Sequence, residues 1–598
     1  MKVCYLFSNI DFGKTTGQSG VALNLIERVK KLGHEIYIIS NNNKEKADLN
    51  IEGVKGFFIE GLSTFRTYFL NSYKILKYLK KIKPDIIHVQ GHLLIPFIYF
   101  LNKLVRSNIV CLLPERIDYF NRIFRYLIVS SINNIGFCFV LSQWNKRSLI
   151  QLGVSPDKIL VIHIGLKDSF LDKKQARQEY EYDIFYYGDA NNERGFDILY
   201  NLAKMSPNLK FKLLIRWEKE ERKSLDELQK LNNVSVDYSC PEESILKQII
   251  LKSKLVFLPY RWMGVLPPIT LLETMALGKC VLTSNLLGDN ELILDNNNVV
   301  LINPNSPTED IKKKIELLLN NPEIIEKIGQ EANKIIVKLF SSSEYDKIFL
   351  FYEMIAGNFY EWRMFHNIGG AFISKKENDT LLKLLQLQDN DNILDVGTGS
   401  GRFARVIVKT SKARVTGIDP DEKILAEGKK LRNIFLSAEE NSRYKCVFGD
   451  GHNIPFDNNK FDKVFCFRVL KYYKDPWQGI DELIRVLKPR GILVLEIISN
   501  RSWESFVRPL QKSSKSRYIN FWEKHMIPFN SEEVKKYLLN KNMTILKEAP
   551  LHKIPPLAYT KLKSKYANCL LNAIDKVLLI ITPKYLFSKS IVLKCKKL

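Results

Sequence analysis

Short apolar runs alternate with amphipathic stretches along nearly the whole chain, the pattern of a parallel sheet covered by helices. Residues 1 to 8 (MKVCYLFS) read as a strand, followed by the loop DFGKTTGQSG. A helix then buries Val21, Leu23, Leu25, Ile26 and Val29 and ends at Gly33, before the strand EIYIIS. The same alternation returns in PDIIHVQGHL (84 to 93) and in CFVLSQWNKRSLIQLGVSPDKILVIHIG (138 to 165). Residues 166 to 182 read as a hinge. Beyond it, YDIFYYGDANNERGFDILYNL, FKLLIRW and KLVFLPYRWMGVLPPITLLETMALGKCVLTSN give strand–helix units. A long amphipathic helix is expected over 308 to 335, and SSSEYDKIFLFYEMIAG is expected to return to the first domain.

A second such series starts at NILDVGTGSGRFARVIV (392 to 408). Ile393, Leu394 and Val396 predict a buried strand, Gly397, Gly399 and Gly401 a tight turn, and Phe403 to Val408 the apolar side of a helix. Asp395 sits within the strand end, where a buried carboxylate is costly without a partner. ARVTGID ends in Asp419, about 20 residues after the turn, where an acid suits ribose hydroxyls. KCVFGDGHNIPF ends a third strand at Asp450, and SIVLKCKKL reads as a last strand added to the sheet. The alternation predicts an α/β fold with three Rossmann-like domains: residues 1–168, 169–355 and 356–598.

At 598 residues the chain is too long for one core. The formal charge of +25 calls for an anionic partner or for Lys-rich solvated faces, and residues 501–598 alone hold 20 Lys and Arg against 6 Asp and Glu. No RNA-binding module accompanies that charge, so nucleic acid is not the expected partner. Nine scattered cysteines without a Cys-x-x-Cys pair argue against a zinc site or a disulfide framework, and no metal is expected. No run reaches the length needed to span a bilayer, and the stretch 567–587, apolar with Lys at its edges, is a candidate for surface contact with a membrane. A cytoplasmic protein, peripheral on the membrane's cytoplasmic face if membrane-bound at all, is expected.

On these motifs the first 355 residues resemble GT-B glycosyltransferases of the retaining family 4 type. The features that carry it are the N-terminal glycine loop, the 153–165 segment, the G-x5-R-G element at 188–195 and PPITLLETMALGKCVLTSN. The resemblance implies a nucleotide-sugar donor, with Gly17 and Gly20 on a loop facing its phosphates, Arg194 on the diphosphate leaving group and Glu273 on the ribose. His92 falls where an acceptor-side catalytic group is expected. Two positions depart from the family: Val265 stands where an earlier Glu is usual, and Asp189 where a basic residue is usual. Arg216 and Arg261 are candidate replacements for the missing cation.

Residues 356–598 resemble class I S-adenosylmethionine-dependent methyltransferases, through ILDVGTGSGRFA, VTGIDP, GDGHNIPF and FRVLKYYKDP…LIRVLKPRGILVLE. That resemblance puts Gly397, Gly399 and Gly401 against the cofactor, Asp395 at its methionine end, Asp419 on its ribose, and Asp450 and Gly451 at its adenine. His452, Tyr472 and His525 are candidate bases. The expected function is a two-enzyme fusion for glycan assembly, acting on a saccharide or lipid-linked saccharide. The rivals are a methyltransferase carrying a non-catalytic sugar-binding half, and a methyltransferase for a quinone or other small molecule.

Overall fold

The computed structural model describes residues 1–7, 17–41, 53–59, 65–97, 105, 107–113, 116–118, 120–134, 137–163, 166–171, 179–216, 222–238, 242–263, 267–286, 292–340, 342–356, 359, 361, 368–500, 529–554, 565–581, 588 and 590–598. It divides into two compact units, Met1–Tyr352 and Glu353–Leu598.

The first unit holds two parallel sheets. The N-terminal sheet comprises β1 (Lys2–Phe7), β2 (Glu35–Asn41), β3 (Val54–Ile59), β4 (Ile86–Gln90), β5 (Asn108–Leu112), β6 (Phe137–Val140) and β7 (Ile159–Val161), in the order β3-β2-β1-β4-β5-β6-β7. The other has β8 (Tyr182–Gly188), β9 (Phe211–Ile215), β10 (Val234–Asp237), β11 (Ser253–Leu258), β12 (Cys280–Ser284) and β13 (Val300–Ile302), in the order β10-β9-β8-β11-β12-β13. Strands β4, β9 and β12, none of them at a sheet edge, are buried along their whole length, because helices cover both faces; hence their continuous apolar runs. In each sheet the strand order reverses beside the first strand. At that point the two neighbouring connections leave in opposite directions and open a crevice at the carboxyl ends.

The stretch 308–335 is two helices, Thr308–Leu319 and Pro322–Leu339, rather than the single helix its periodicity predicts. Pro322 supplies the reason: it lacks an N–H and starts a helix more readily than it continues one. The helix Ser342–Ala356 packs on the N-terminal sheet, as its sequence predicts: Phe351 meets Phe137 and Phe139, and the Tyr352 hydroxyl bonds the buried His88 ring.

The second unit has a mixed sheet: β14 (Asn392–Val396), β15 (Arg414–Asp419), β16 (Tyr444–Phe448), β17 (Phe461–Cys466), β18 (Leu487–Ile498), β19 (Met543–Leu551) and β20 (Ser590–Lys597), in the order β16-β15-β14-β17-β18-β20-β19. β20 is the strand expected from SIVLKCKKL. It inserts antiparallel between β18 and β19, so the sheet cannot grow past it as a simple parallel array.

Candidate functional site

In the second unit the acids from the sequence motifs gather at the carboxyl ends of β14 and β15. Asp395, on β14, is buried and accepts a 2.7 Å hydrogen bond from the Thr398 hydroxyl. Among the described residues no cation is ion-paired with it, and burial pushes its carboxyl up to about 7, with the nearby Asp419 charge adding to the rise. Asp419, at the end of β15, accepts the backbone N–H groups of Gly399 (2.8 Å) and Asp421 (3.0 Å); burial raises its pKa too. Two carboxylates at a sheet crevice, neither ion-paired among the described residues, fit a ligand carrying a sulfonium, an ammonium and a ribose diol.

The glycines of the turn serve packing as much as ligand approach. Gly397 and Gly401 have φ of +73° and +81°, and a Cβ on them would lie 2.2 Å from Val469 and from the Tyr444 hydroxyl, respectively. Gly399 has more room: a Cβ there would be 3.6 Å from Ile424. Asp450 accepts from both the backbone N–H and the ring Nδ1 of His452, at 3.0 and 2.9 Å. That ring lies 4.4 Å from Tyr473, whose hydroxyl closes the space beside Gly451. Tyr472 is exposed, and His525 lies outside the described residues.

The sequence reading did not foresee what holds this turn from behind. Arg402 and Arg405, in the helix Arg402–Thr410, are both buried. Arg402 pairs with Glu377 at 2.6 Å, and Arg468 reaches the same carboxylate at 3.1 Å. Glu361 takes Arg405 and the Ser400 hydroxyl. Two buried acids from the segment before β14 therefore hold the helix whose N-terminus carries the glycine turn. The only available signal was the apolar neighbourhood of Arg402 and Arg405.

The donor-side candidates lie at the carboxyl edge of the sheet built on β8. Arg194 belongs to a short turn, Asn192–Arg194, and its backbone N–H is capped by Asn191 at 3.0 Å. Its guanidinium lies over the Tyr260 ring and contacts the Met263 sulfur. Arg216, directly after β9, lies over the Tyr187 ring. Asp189 stands between the two guanidiniums, 3.6 Å from Arg194 and 3.5 Å from Arg216. Arg261 is engaged elsewhere, by Asp197 and Asn192, and does not replace the missing cation.

Glu273 is in the helix Ile269–Ala276 and is partly buried. Burial pushes its carboxyl up to about 8, against the opposing pull of Arg216, Lys167 and Lys247. Lys167 and Lys247 are themselves paired with Glu243, at 3.0 and 3.1 Å. Val265 lies outside the described residues.

Gly17 and Gly20 are in the first turn of the helix Gly17–Lys31, not in the loop before it as expected. The first four N–H groups of a helix have no partner within it, so an anion-facing role passes from loop to helix end. His92 is in the turn after β4, with its ring 4.6 Å from Phe120 and packed edge-on to Phe124. It belongs to the N-terminal sheet, whereas Arg194 and Glu273 belong to the sheet built on β8.

Comparison with known proteins agrees with this division. Residues 15–170 match the model of Glycosyltransferase Family 4, 168–335 that of Glycosyl transferases group 1, and 394–495 that of a methyltransferase domain. A glycosyltransferase structure from Rickettsia africae is 17% identical, with a TM-score of 0.51 over 60% of this chain and 99% of that one. Sucrose-phosphate synthase from Thermosynechococcus elongatus is 14% identical, with a TM-score of 0.52 over 60% of this chain and all of that one. These two show the fold. The 27-O-demethylrifamycin SV methyltransferase of Amycolatopsis mediterranei is 30% identical over 117 residues, 20% of this chain and 42% of that protein. A demethylmenaquinone methyltransferase of Staphylococcus epidermidis is 33% identical over 147 residues, 24% and 55% of the two chains. The chain thus spans about half the length of these curated relatives. It is a fusion of paired GT-B glycosyltransferase domains with a class I methyltransferase domain.

Proposed function

We propose that the chain is a bifunctional glycan-assembly enzyme, with domains at 1–168, 169–355 and 356–598. The first two would transfer a sugar from a nucleotide-sugar to a saccharide or lipid-linked glycan. The third would methylate a saccharide hydroxyl, on that product or a related one, with S-adenosylmethionine. The observation that carries the reading is the presence in one chain of a two-arginine site with a nearby carboxyl and of the Asp395–Asp419 crevice. Joining two activities raises the local concentration of one product at the next site.

In the donor site Arg194 and Arg216 supply positive charge where a diphosphate leaving group gains negative charge, and Glu273 accepts ribose hydroxyls. The first-turn amides around Gly17 and Gly20 add donors, and His92 stands on the acceptor side. In the methyltransferase site Asp395 faces the ammonium end of the cofactor and Asp419 its ribose, with Asp450 and Gly451 at the adenine. The bound cofactor supplies a methyl group on a sulfonium. The chain's part is to align the acceptor oxygen and exclude water. The site works on the cytoplasmic side, and membrane contact, where it occurs, is peripheral; no helix among the described residues is long and apolar enough to cross a bilayer.

One observation favours a second reading, in which the first half binds sugar without turnover: Asp189 offsets part of the positive charge a donor would use. The names of the methyltransferase relatives, a rifamycin and a menaquinone precursor among them, support a small-molecule methyl acceptor. Mass spectrometry of cell-surface glycans tests all three, comparing a deletion strain with one carrying Asp419→Ala. The fusion reading expects loss of a sugar in the first and of a methyl group alone in the second. Normal glycans in both would sink it.

A further inference from the structure

The glycine turn of the second unit is backed by positive charge, whereas the ligand its crevice fits is itself a cation. Arg402 and Arg405 lie buried in the helix that starts at the turn, and that helix directs the positive end of its dipole to the same place. Arg405 donates to the Ser400 carbonyl at 2.6 Å, between Gly399 and Gly401. Arg402 is near enough for its charge to act on the Asp395 carboxyl. Arg468, which follows β17, brings a third guanidinium. Uncompensated, these charges would oppose a sulfonium and an ammonium beside them.

Three buried acids answer them. Glu361 pairs with Arg405 and also accepts from the Ser400 hydroxyl. Glu377, in the helix Ile368–Leu385, takes Arg402 at 2.6 Å and Arg468 at 3.1 Å. Glu496, on β18, accepts the Arg468 backbone N–H. Close by, Lys376 is matched by Asp575, and burial holds the His552 ring, 3.9 Å from Glu377, below its ordinary pKa and so uncharged. Three guanidiniums and three carboxylates balance, which leaves Asp395 and Asp419 to meet a cation. Glu361 and Glu377 both precede residue 394, where the match to the methyltransferase model begins. A buried ion pair is weak evidence for stability, since apolar residues of similar volume often hold a fold as well. A role in charge is the better account of these.

We propose that Glu361 and Glu377 set the charge selectivity of the methyltransferase site. By offsetting Arg405 and Arg402 they let the crevice hold a cationic methyl donor against its product, whose sulfur is uncharged. The two ligands share the adenosine and the amino-acid end, and differ by one methyl group and one positive charge. Compensation behind the turn therefore acts on one and spares the other, and governs how readily a fresh donor displaces the spent product. This inference rests on the S-adenosylmethionine reading of the site and adds to it two residues that act through the arginines.

The test is calorimetric titration of the full chain, at a pH above the Asp395 value of about 7, with S-adenosylmethionine and separately with S-adenosylhomocysteine. The readout is the ratio of the two dissociation constants, which a merely looser turn would not move because it weakens both. Glu361→Gln leaves Arg405 charged and should shift the ratio about tenfold in favour of S-adenosylhomocysteine, the scale of one unit charge acting across a partly buried site. Arg405→Gln leaves Glu361 charged and should shift it about as far the other way. The double variant Glu361→Gln/Arg405→Gln should return to within about twofold of the wild type, since opposite signs with recovery are the mark of a pairwise charge effect. Should either single variant fail to fold, Arg402→Gln carries the same test: Glu377 keeps Arg468 as a partner, and the ratio should again move toward S-adenosylmethionine. A ratio left unchanged while both affinities fall, or moved the same way by Glu361→Gln and Arg405→Gln, overturns the proposal and leaves the cofactor reading standing. A wild type that binds neither ligand removes the cofactor reading, and this inference with it.

Discussion

Asp189 lies 3.6 Å from the Arg194 guanidinium and, through its other oxygen, 3.5 Å from Arg216. All three side chains are only partly exposed, so the interaction is screened less than a surface pair would be. On the proposed donor-site reading, a diphosphate approaching the two arginines meets this carboxylate as an internal competitor. Asp189→Asn keeps the shape and removes the charge. It should tighten binding of a nucleoside diphosphate about tenfold, measured by calorimetry across a panel of nucleotides, and steepen the salt dependence. Arg194→Ala should weaken binding by at least as much. Unchanged or weaker binding by the Asn variant would mean that Asp189 holds the arginines in place instead of competing with the ligand.

Glu273 links stability to pH. Its carboxyl is pushed up to about 8 in the folded chain, from an ordinary 4.5. Below 4.5 both folded and unfolded states hold the proton. Between there and about 8 only the folded state does, so the charge the unfolded chain is free to carry costs stability as pH rises. Glu273→Gln removes that slope. Chemical denaturation at several pH values should show the variant's advantage growing from weakly acidic to weakly alkaline pH, then levelling. A constant difference would place the carboxyl in water. The wild type should also lose its slope when a ribonucleotide is bound, if hydroxyls satisfy the group.

The same reasoning at a lower pH applies to Asp395, held at about 7 against an ordinary 3.8. A ligand that brings a positive charge favours the ionised form, so binding of S-adenosylmethionine should release a proton at pH 6, read as a buffer-dependent binding enthalpy. Asp395→Asn should abolish the release, and Asp419→Ala should weaken binding by on the order of a hundredfold through loss of two hydroxyl contacts. Equal binding enthalpies in buffers of different ionisation heat would sink the assignment of Asp395.

How much of this was legible depends on the range of the interaction. Alternation gave the three sheets, and the resemblance pointed to Asp395, Asp419 and Glu273 as site candidates, because strand ends and glycine turns are written locally. The Asp189 bridge was not legible. It joins residues that follow β8 and β9, and only the lateral pairing of those strands brings 189 beside 216. Glu377 and Glu361 escaped for the same reason: each meets its arginine across at least 25 residues, and a charged residue in an amphipathic helix reads as solvent-facing until its partner is known. Composition places Gly17 and Gly20 in a loop, whereas the helix begins one turn earlier than glycine content suggests.

The glycine turn itself separates packing from ligand approach. A Cβ on Gly401 would sit 2.2 Å from the hydroxyl of Tyr444, which is buried and 3.1 Å from the Thr398 hydroxyl that supports Asp395. Its φ of +81° adds backbone strain for any L side chain. Gly401→Ala should therefore destabilise the second unit by about 3 kcal/mol and drag Thr398 with it. Gly399→Ala meets only the strain of φ +56°, since its nearest neighbour would be 3.6 Å away, and should cost about 1 kcal/mol. Cofactor affinity should rank the other way once folding is controlled for. Gly399 donates its N–H to Asp419, and a Cβ there would make only ordinary contact with Ile424, so on the proposed cofactor reading a methyl there intrudes on the ligand more than on the packing. Denaturation midpoints and S-adenosylmethionine titrations on the two variants check both orders. If Gly399→Ala binds normally while Gly401→Ala folds normally, the turn is tolerant and the crevice beside it is not where the cofactor lies.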